Sequence, residues 1–273
     1  MNLGFQNKHI IVTGASGGIG KETIKAFLAE DATVTATYNT NRQPLEQLVN
    51  KYQERINVLQ ADVTDDTSVK NLFQKAESEN GRVDILVANA GIAHGPAPVH
   101  EMSLEQWQET MDVNLTGVFL SAKHFFRNLK RNRKESASLI LIGSTAGLFG
   151  EANYADYASS KAALHGLMMS LKNEIVHLAP QGRVNLVNPG WTMTPMAEST
   201  LRDPELMKRI LQTIPMQKVA VPSDIAHAIL ILASDVTAGH ISGETVTIAG
   251  GMEGRVLFDR ENVDIHSSGK KGD

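Results

Sequence analysis

Tyr157 and Lys161 lie four residues apart in a stretch of helical character, so their side chains share one helix face. A phenol with a pKa near ~10 is a poor acid or base at neutral pH. A lysine cation held beside it favours phenolate, lowers that pKa and makes proton exchange with a substrate oxygen feasible. The same pair also fits an ordinary solvated helix face, so it needs company to mean more. Tyr154 lacks such a partner, because four residues later stands Ala158. Ser144 ends an apolar, strand-like run, which would aim its hydroxyl into a crevice at the carboxyl edge of a sheet. Asn114 falls inside a helical stretch, where asparagine is mildly unfavourable.

A second group of residues suits an anion. Thr13-Gly14-Ala15-Ser16-Gly17-Gly18-Ile19-Gly20 follows the first strand-like run and opens a helix. Glycines there permit a tight turn and let backbone N–H groups approach a pyrophosphate at the helix N-terminus. The spacing is Gly-x-x-x-Gly-x-Gly, and Gly17 adds a Gly-x-x-Gly-x-x-Gly reading. Small residues in Asn89-Ala90-Gly91 would let the backbone pass close to a ligand. Asp62 either accepts a hydrogen bond from an adenine amino group or caps the helix that follows Thr64.

The second strand-like run ends in Tyr38-Asn39-Thr40-Asn41-Arg42, with Asp31 before it and Glu46 in the next helix. A dinucleotide fold that prefers NAD(H) usually places a carboxylate there, ~20 residues beyond the glycine turn, to bind the ribose 2′-hydroxyl. Its absence removes the repulsion that would reject a 2′-phosphate. Asn39, Thr40 and Asn41 offer neutral donors, and Arg42 offers a cationic fork suited to phosphate. This predicts NADP(H) as the cofactor, with NAD(H) as the alternative.

The elements that must hold these residues alternate along the chain. Strand-like runs are Lys8–Thr13, Ala32–Tyr38, Ile56–Gln60, Val83–Ala88, Ser138–Gly143, Arg183–Asn188 and Thr245–Ile248. Most are apolar without alternation, as parallel strands covered on both faces are. Helix-like stretches are Gly18–Glu30, Pro44–Glu54, Asp66–Glu79, Leu104–Arg131, Tyr154–Leu178 and Asp224–Ala233, the fourth long enough to include a loop. The alternation predicts an α/β fold, a single Rossmann-type doubly wound parallel sheet of about seven strands with helices on both faces. Residues 1–252 form the expected domain, and 191–218 its substrate lid. Trp191, Met193, Met196, Leu201, Leu206, Met207, Ile210 and Met216 suit either an adaptable apolar wall or the lid's own core. A tail, 253–273, follows. Its end is expected to be disordered, and Val256, Leu257 and Phe258 suit a neighbouring subunit or the local surface.

Composition sets the bounds. The 273 residues are 42% hydrophobic and 21% charged, which suits a soluble globular domain and not a disordered chain. A formal charge of -4 argues against nucleic acid as the main partner. No apolar run nears the ~18 residues of a membrane span, and the polar start Met1–Lys8 is unlike a secretory leader. A cytoplasmic location without membrane attachment is therefore expected. The absence of cysteine excludes disulfides, thiolate catalysis and cysteine-based zinc sites. The nine histidines show no ligand spacing, so no metal is expected, and His165 and His177 read as helix-face residues.

Together these residues have a familiar order. Thr13-Gly14-x-x-x-Gly18-x-Gly20, Asp62, Asn89-Ala90-Gly91, Asn114, Ser144, Tyr157-x-x-x-Lys161 and Pro189-Gly190 make the chain resemble the short-chain dehydrogenase/reductase family. Ile241-Ser242-Gly243 and Gly250-Gly251 extend the match, which runs from roughly Lys8 to Met252 and fits the subgroup of about this length. The resemblance implies that Tyr157 is the general acid in carbonyl reduction and the base in alcohol oxidation. Lys161 would lower its pKa and bind the nicotinamide ribose. Ser144 would position the substrate oxygen, and Asn114 would hold a water linking Lys161 to solvent.

The implied cofactor contacts are Gly14, Ser16, Gly17, Gly18, Ile19, Gly20, Tyr38, Asn39, Arg42, Asp62, Val63, Asn89, Ala90 and Gly91, together with Tyr157 and Lys161. Pro189, Gly190, Thr192 and Thr194 complete the set, the two threonines at the carboxamide and pyrophosphate. Thr192 replaces a commoner branched aliphatic residue, and Ala249 replaces an aspartate often found before the final Gly-Gly. Gly17 stands where NADP-preferring relatives often carry a base, which counts against the NADP(H) reading.

The implied reaction is hydride transfer on a small-molecule carbonyl or alcohol. A 3-oxoacyl carrier-protein reductase, a sugar or steroid dehydrogenase and a general ketone reductase all fit, as does an NAD-dependent sugar or alcohol dehydrogenase. A cofactor-binding regulator without catalysis is the contrasting class, opposed by four filled catalytic positions. A sugar-nucleotide epimerase or dehydratase is opposed by the length, by Asn114 and by Gly250-Gly251. The basic cluster Arg127, Lys130, Arg131, Arg133 and Lys134 suits an acidic carrier protein or a solvated helix end. Relatives pair the helices that carry Val118, Phe119, Phe125, Leu164, Met168 and Leu171, which implies a symmetric homotetramer, with a homodimer as the smaller alternative.

Overall fold

Seven of the apolar runs become strands: β1 (His9–Val12), β2 (Thr33–Tyr38), β3 (Ile56–Gln60), β4 (Ile85–Ala88), β5 (Ser136–Ile142), β6 (Gln181–Pro189) and β7 (Thr245–Ile248). The structure is a computed structural model and describes residues 2–265. The strands form one sheet in the order β3-β2-β1-β4-β5-β6-β7, and every neighbouring pair is parallel. β1 and β4 are buried at every position, which is why their sequences do not alternate. From β1 the chain builds outward through β2 to β3, then returns to add β4 on the other side of β1. That reversal opens a crevice beyond the carboxyl ends of β1 and β4.

Parallel pairing demands long crossovers, and helices supply them: α1 (Gly18–Ala29), α2 (Glu46–Tyr52), α3 (Asp66–Asn80), α4 (Leu104–Met111), α5 (Gly117–Arg131), α6 (Ala146–Phe149), α7 (Ala155–Ile175), α8 (Glu198–Arg202), α9 (Pro204–Leu211), α10 (Pro222–Ala233) and α11 (Asp235–Ala238). α1 and α10 cover one face, where Ile24, Phe27, Ile225 and Ile229 share a core with Val12 and Ile140. α3, α5 and α7 cover the other, where Phe73, Phe125, Leu164 and Met168 share a core with Ile11 and Leu139. Consecutive residues Ile11 and Val12 thus serve opposite cores, as strand geometry requires.

Strand ends differ from the sequence expectation by about two residues at most, the ordinary uncertainty of element boundaries. Two helical expectations need correction. Only the centre of Pro44–Glu54 is α-helical, because 3-10 turns at Gln43–Leu45 and Gln53–Arg55 flank α2. Leu104–Arg131 contains no loop: α4 passes through a π-helical turn, Asp112–Thr116, directly into α5. The support for assembly also changes. Val118, Phe125, Leu164, Met168 and Leu171 are buried within this chain, and of the six residues only Phe119 is exposed, at 47%.

Between β6 and α10 the stretch 191–218, the lid expected from the sequence, holds α8 and α9. Met207 and Ile210 turn inward to form a small core with Leu211, Ile214 and Val219, and Leu201 packs against it. The segment after β7 covers this core. Val263 is buried in it, and Phe258 and Ile265 pack on it. The Gln212 carbonyl accepts from the Leu257 amide at 2.8 Å, and Gln212 Nε2 donates to the Phe258 carbonyl at 2.9 Å. Leu257 and Phe258 therefore meet the lid of their own chain, while Val256 is exposed. The expected disordered end, 266–273, lies outside the described residues.

The basic cluster is partly committed. Arg131 pairs with Glu77 at 2.6 Å and Lys134 with buried Asp84 at 3.1 Å. Among the described residues, no helix is long and apolar enough to cross a membrane.

Candidate active site

The chain turns as soon as β1 ends. Gly14 has φ +61°, and a Cβ there would fall 2.7 Å from the Ala90 backbone, so only glycine fits. Thr13 Oγ1 accepts from the amides of Asn89 and Ala90 at 3.0 and 3.1 Å. Asn89 Nδ2 donates to the carbonyls of Thr13 and Gly14 at 2.9 and 3.0 Å. The Asn89 side chain thus clamps the end of β4 to the glycine turn. α1 starts at Gly18, and Gly17 supplies no side-chain cap, which leaves first-turn N–H groups for an anion at the positive end of the helix. A Cβ on Gly18 would meet Thr194 Cγ2 at 2.8 Å, so the first residues of the lid sit on the turn. An uncapped helix start beside a cradle that a Cβ would fill fits a dinucleotide pyrophosphate.

Gly14, Ser16, Gly17, Gly18, Ile19 and Gly20 all line a crevice of about 870 Å³ at the carboxyl edge of the sheet. Asn39, Thr40 and Asn41 line its outer end, with Asp62 and Val63 beside them. Tyr38 and Arg42 do not line it. Strand alternation turns Tyr38 into the core beneath β2, and Arg42 is exposed at the start of the 3-10 turn before α2. Asp62 does not cap α3. Its Oδ1 accepts from the amide and hydroxyl of Thr64 at 2.9 and 2.7 Å. The cap is Asp65, which accepts from the Thr67 and Ser68 amides at 2.9 and 3.2 Å.

At the inner end, Ala90 and Gly91 after β4, Ser144 after β5, Tyr157 and Lys161 from α7, Pro189 at the end of β6, and Gly190, Thr192 and Thr194 beyond it share the same crevice. The start of α7 is pinned by buried Asp156, which accepts from Thr110 Oγ1 at 2.8 Å and Gln106 Nε2 at 3.2 Å. That contact fixes Tyr157 in place one residue later. Ser144, whose Oγ accepts from the Ala146 amide at 3.1 Å, lines the crevice with Tyr157 and acts on its phenol. Lys161 Nζ donates to the Ile142 carbonyl at 2.9 Å and stands 5.7 Å from the centroid of the Tyr157 ring.

Burial sets the titration of this pair. It pushes the Tyr157 phenol up, with the Ser144 hydrogen bond acting the other way. Desolvation lowers Lys161 from 10.5 to about 8. Loss of water thus dominates the phenol, while the lysine ammonium is engaged by the Ile142 carbonyl.

Asn114 sits behind the crevice wall. Within the π-helical turn, its Oδ1 accepts from the Ile92 amide at 2.8 Å. Its Nδ2 donates to the Ile92 carbonyl at 2.9 Å and to Ser160 Oγ at 3.1 Å. It therefore joins the segment after β4 to α7. Lys161 Nζ and Asn114 Oδ1 both lie against Gly91, 3.1 and 3.2 Å from where a Cβ would stand.

The apolar residues of 191–218 divide between the two uses that the sequence offered. Trp191, Met196 and Leu206 face the crevice while Met207 and Ile210 fill the lid, so both proposed uses of the lid side chains are real. Tyr154 lines the crevice too. A spacing of three from Tyr157 was a usable signal, since such residues are helix neighbours. His94, Val113 and Glu151 also line it and carry no local motif.

The family model described as enoyl-(acyl carrier protein) reductase matches residues 14–253. The chain belongs to the short-chain dehydrogenase/reductase family. A 3beta-hydroxysteroid dehydrogenase 1 of Eggerthella lenta is 36% identical over 252 residues, covering 91% of this chain and 94% of that protein. A 3-oxoacyl-[acyl-carrier-protein] reductase of Escherichia coli is 35% identical over 253 residues, covering 92% of this chain and 99% of that protein. The solved structure of a short-chain dehydrogenase/reductase from Brucella melitensis, named glucose/ribitol dehydrogenase, superposes with a TM-score of 0.83 at 32% identity, covering 92% and 98% of the two chains. As a member of this family the protein is an oxidoreductase acting on the CH–OH/C=O couple, and the family's cofactors are nicotinamide dinucleotides.

Proposed function

We propose that this oxidoreductase interconverts a small-molecule carbonyl and a secondary alcohol with NADP(H), using Tyr157 as general acid and base. The observation that carries the reading is the meeting of Ser144, Tyr157 and Lys161 in one crevice, with the Lys161 ammonium 5.7 Å from the centroid of the phenol ring. The bound nicotinamide supplies or accepts the hydride. Tyr157 gives its proton to the carbonyl oxygen in reduction and takes it back in oxidation. Ser144 holds that oxygen, and the Lys161 cation supports the charge that develops on the phenol. Asn114 keeps the lysine end of α7 in register with β4, and we assign it the water that refills the proton. Steroid, acyl carrier-protein and polyol relatives, as their names describe them, all fit this carbonyl/alcohol couple.

The NADP(H) preference rests on the neutral rim Asn39-Thr40-Asn41, which puts no carboxylate where a 2′-phosphate would lie. Arg42 has no ion-pair partner among the described residues and is exposed beside that rim. Phe119 on α5 and Met169 on α7 expose apolar surface that supports a symmetric tetramer or dimer in the cytoplasm. The test is a panel of ketones and alcohols assayed with both cofactors. Wild type should favour NADP(H) by roughly tenfold or more in kcat/KM, and Asn39→Asp should move the ratio toward NAD(H) through repulsion of the phosphate. A wild type that already favours NAD(H) would overturn the assignment of the rim.

A further inference from the structure

The inner end of the crevice holds a carboxylate that proton transfer does not use. Glu151 follows Gly150, which turns the chain with φ +75°, and it lines the crevice mouth with Tyr154 and His94. Its side chain has no hydrogen-bond or ion-pair partner among the described residues. Among the described residues no arginine lines the crevice, and the one lysine that does is Lys161, whose ammonium is tied to the Ile142 carbonyl. The residue is exposed at the rim, yet the surrounding wall withdraws enough water to raise the pKa of its carboxyl. The charge of Glu151 also helps to push up the phenol of Tyr154, so the two side chains share one patch.

We propose that Glu151 determines substrate specificity: it accepts a hydrogen bond from a hydroxyl or ammonium group carried by the substrate, and it repels a carboxylate in the same place. This rests on the reading of Ser144, Tyr157 and Lys161 as the reacting centre. An unpaired carboxylate at a partly dry wall gains most from a donor, and a donor on the substrate is the one the protein does not supply. An anionic substrate group would meet a like charge with reduced screening, and among the described residues no free lysine or arginine lines the crevice to offset it. Trp191, Met196 and Leu206 give the rest of that end an apolar wall. The favoured substrate is therefore an apolar carbonyl or alcohol bearing a neutral or cationic donor.

The test compares two probes on one ring. One is a cyclohexanone with a hydroxymethyl group opposite the carbonyl, and the other carries a carboxylate at that position. Their binding to the protein with oxidised cofactor is measured by calorimetry for wild type, Glu151→Gln and Glu151→Asp, and kcat/KM with reduced cofactor is measured separately. Wild type should bind the alcohol probe roughly tenfold more tightly than the carboxylate, and Glu151→Gln should bring the two within about twofold by improving the carboxylate. Glu151→Asp should keep the wild-type order. Equal affinities in wild type, a tighter carboxylate, a ratio unchanged in Glu151→Gln or no binding of either probe would each overturn the proposal. The reacting-centre reading fails separately, through turnover that survives loss of the Tyr157 hydroxyl.

Discussion

Tyr157→Phe is expected to lower turnover by ~100-fold or more while the cofactor still binds with wild-type affinity. Phenylalanine keeps the ring at the start of α7 and removes only the hydroxyl. Burial raises the phenol above its ordinary pKa, so at neutral pH the group carries the proton that reduction requires. The same burial would make the reverse step, from phenolate, depend on the nearby Lys161 cation. Single-turnover kinetics on a ketone, paired with a fluorescence titration of the cofactor, separate chemistry from binding. Tyr154→Phe is the control, because Tyr154 lines the same crevice without being the proposed donor, and its loss should affect the chemical step far less. Near-normal turnover in Tyr157→Phe would remove the residue from the mechanism. A loss of cofactor binding would make its role structural instead.

Features legible in the sequence are those whose physics is local. The glycine turn is readable because Gly14 must adopt φ +61° against Ala90, and a strand leading into a helix says where that turn lies. Tyr157 and Lys161 are readable because helical spacing puts them on one face without any knowledge of the rest of the fold. Asp62 shows the limit. It and Asp65 lie three residues apart before the same helix, and only the observed hydrogen bonds tell the cap from its neighbour. Tyr38 and Arg42 stand off the crevice lining for a related reason: the end of a strand names a neighbourhood, while alternation and the next turn decide which side chains line the crevice.

Asn114 is a tertiary residue in sequence disguise. A mid-helix asparagine is locally unfavourable, and its reason lies in Ile92 and Ser160, far along the chain. The helix opens into a π-helical turn at that point, which no propensity scale anticipates. The lid divides in the same way. Leu206 and Met207 are adjacent and alike in composition, yet one lines the crevice and the other is buried in the lid core.

Lys161→Met is expected to yield a protein more stable than wild type at pH 7 and much less active. Lys161 is 5% exposed, and desolvation lowers its pKa from 10.5 to about 8. At neutral pH the fold therefore holds a charged ammonium that would be better solvated in the unfolded chain. At 1.36 kcal/mol per unit, that displacement opposes folding by roughly 3 kcal/mol. Methionine has a similar reach and no charge, but it strands the Ile142 carbonyl, which costs about 1–2 kcal/mol. The balance favours the variant by roughly 1–2 kcal/mol. The pH dependence identifies the cause. Between about 8 and 10.5 the unfolded lysine still holds its proton while the folded one has released it. Wild-type stability must then rise with pH relative to the variant, so the variant's advantage is full below about 8, vanishes within that window and reverses by 10.5, where the neutral lysine still bonds the Ile142 carbonyl. Urea unfolding of both proteins across that range measures it. A variant less stable at pH 7, or a gap that ignores pH, would show that the buried charge is not what strains the site. A reversal as described would mean that the fold holds this cation at a cost to its own stability, 5.7 Å from the ring centroid of the proposed proton donor.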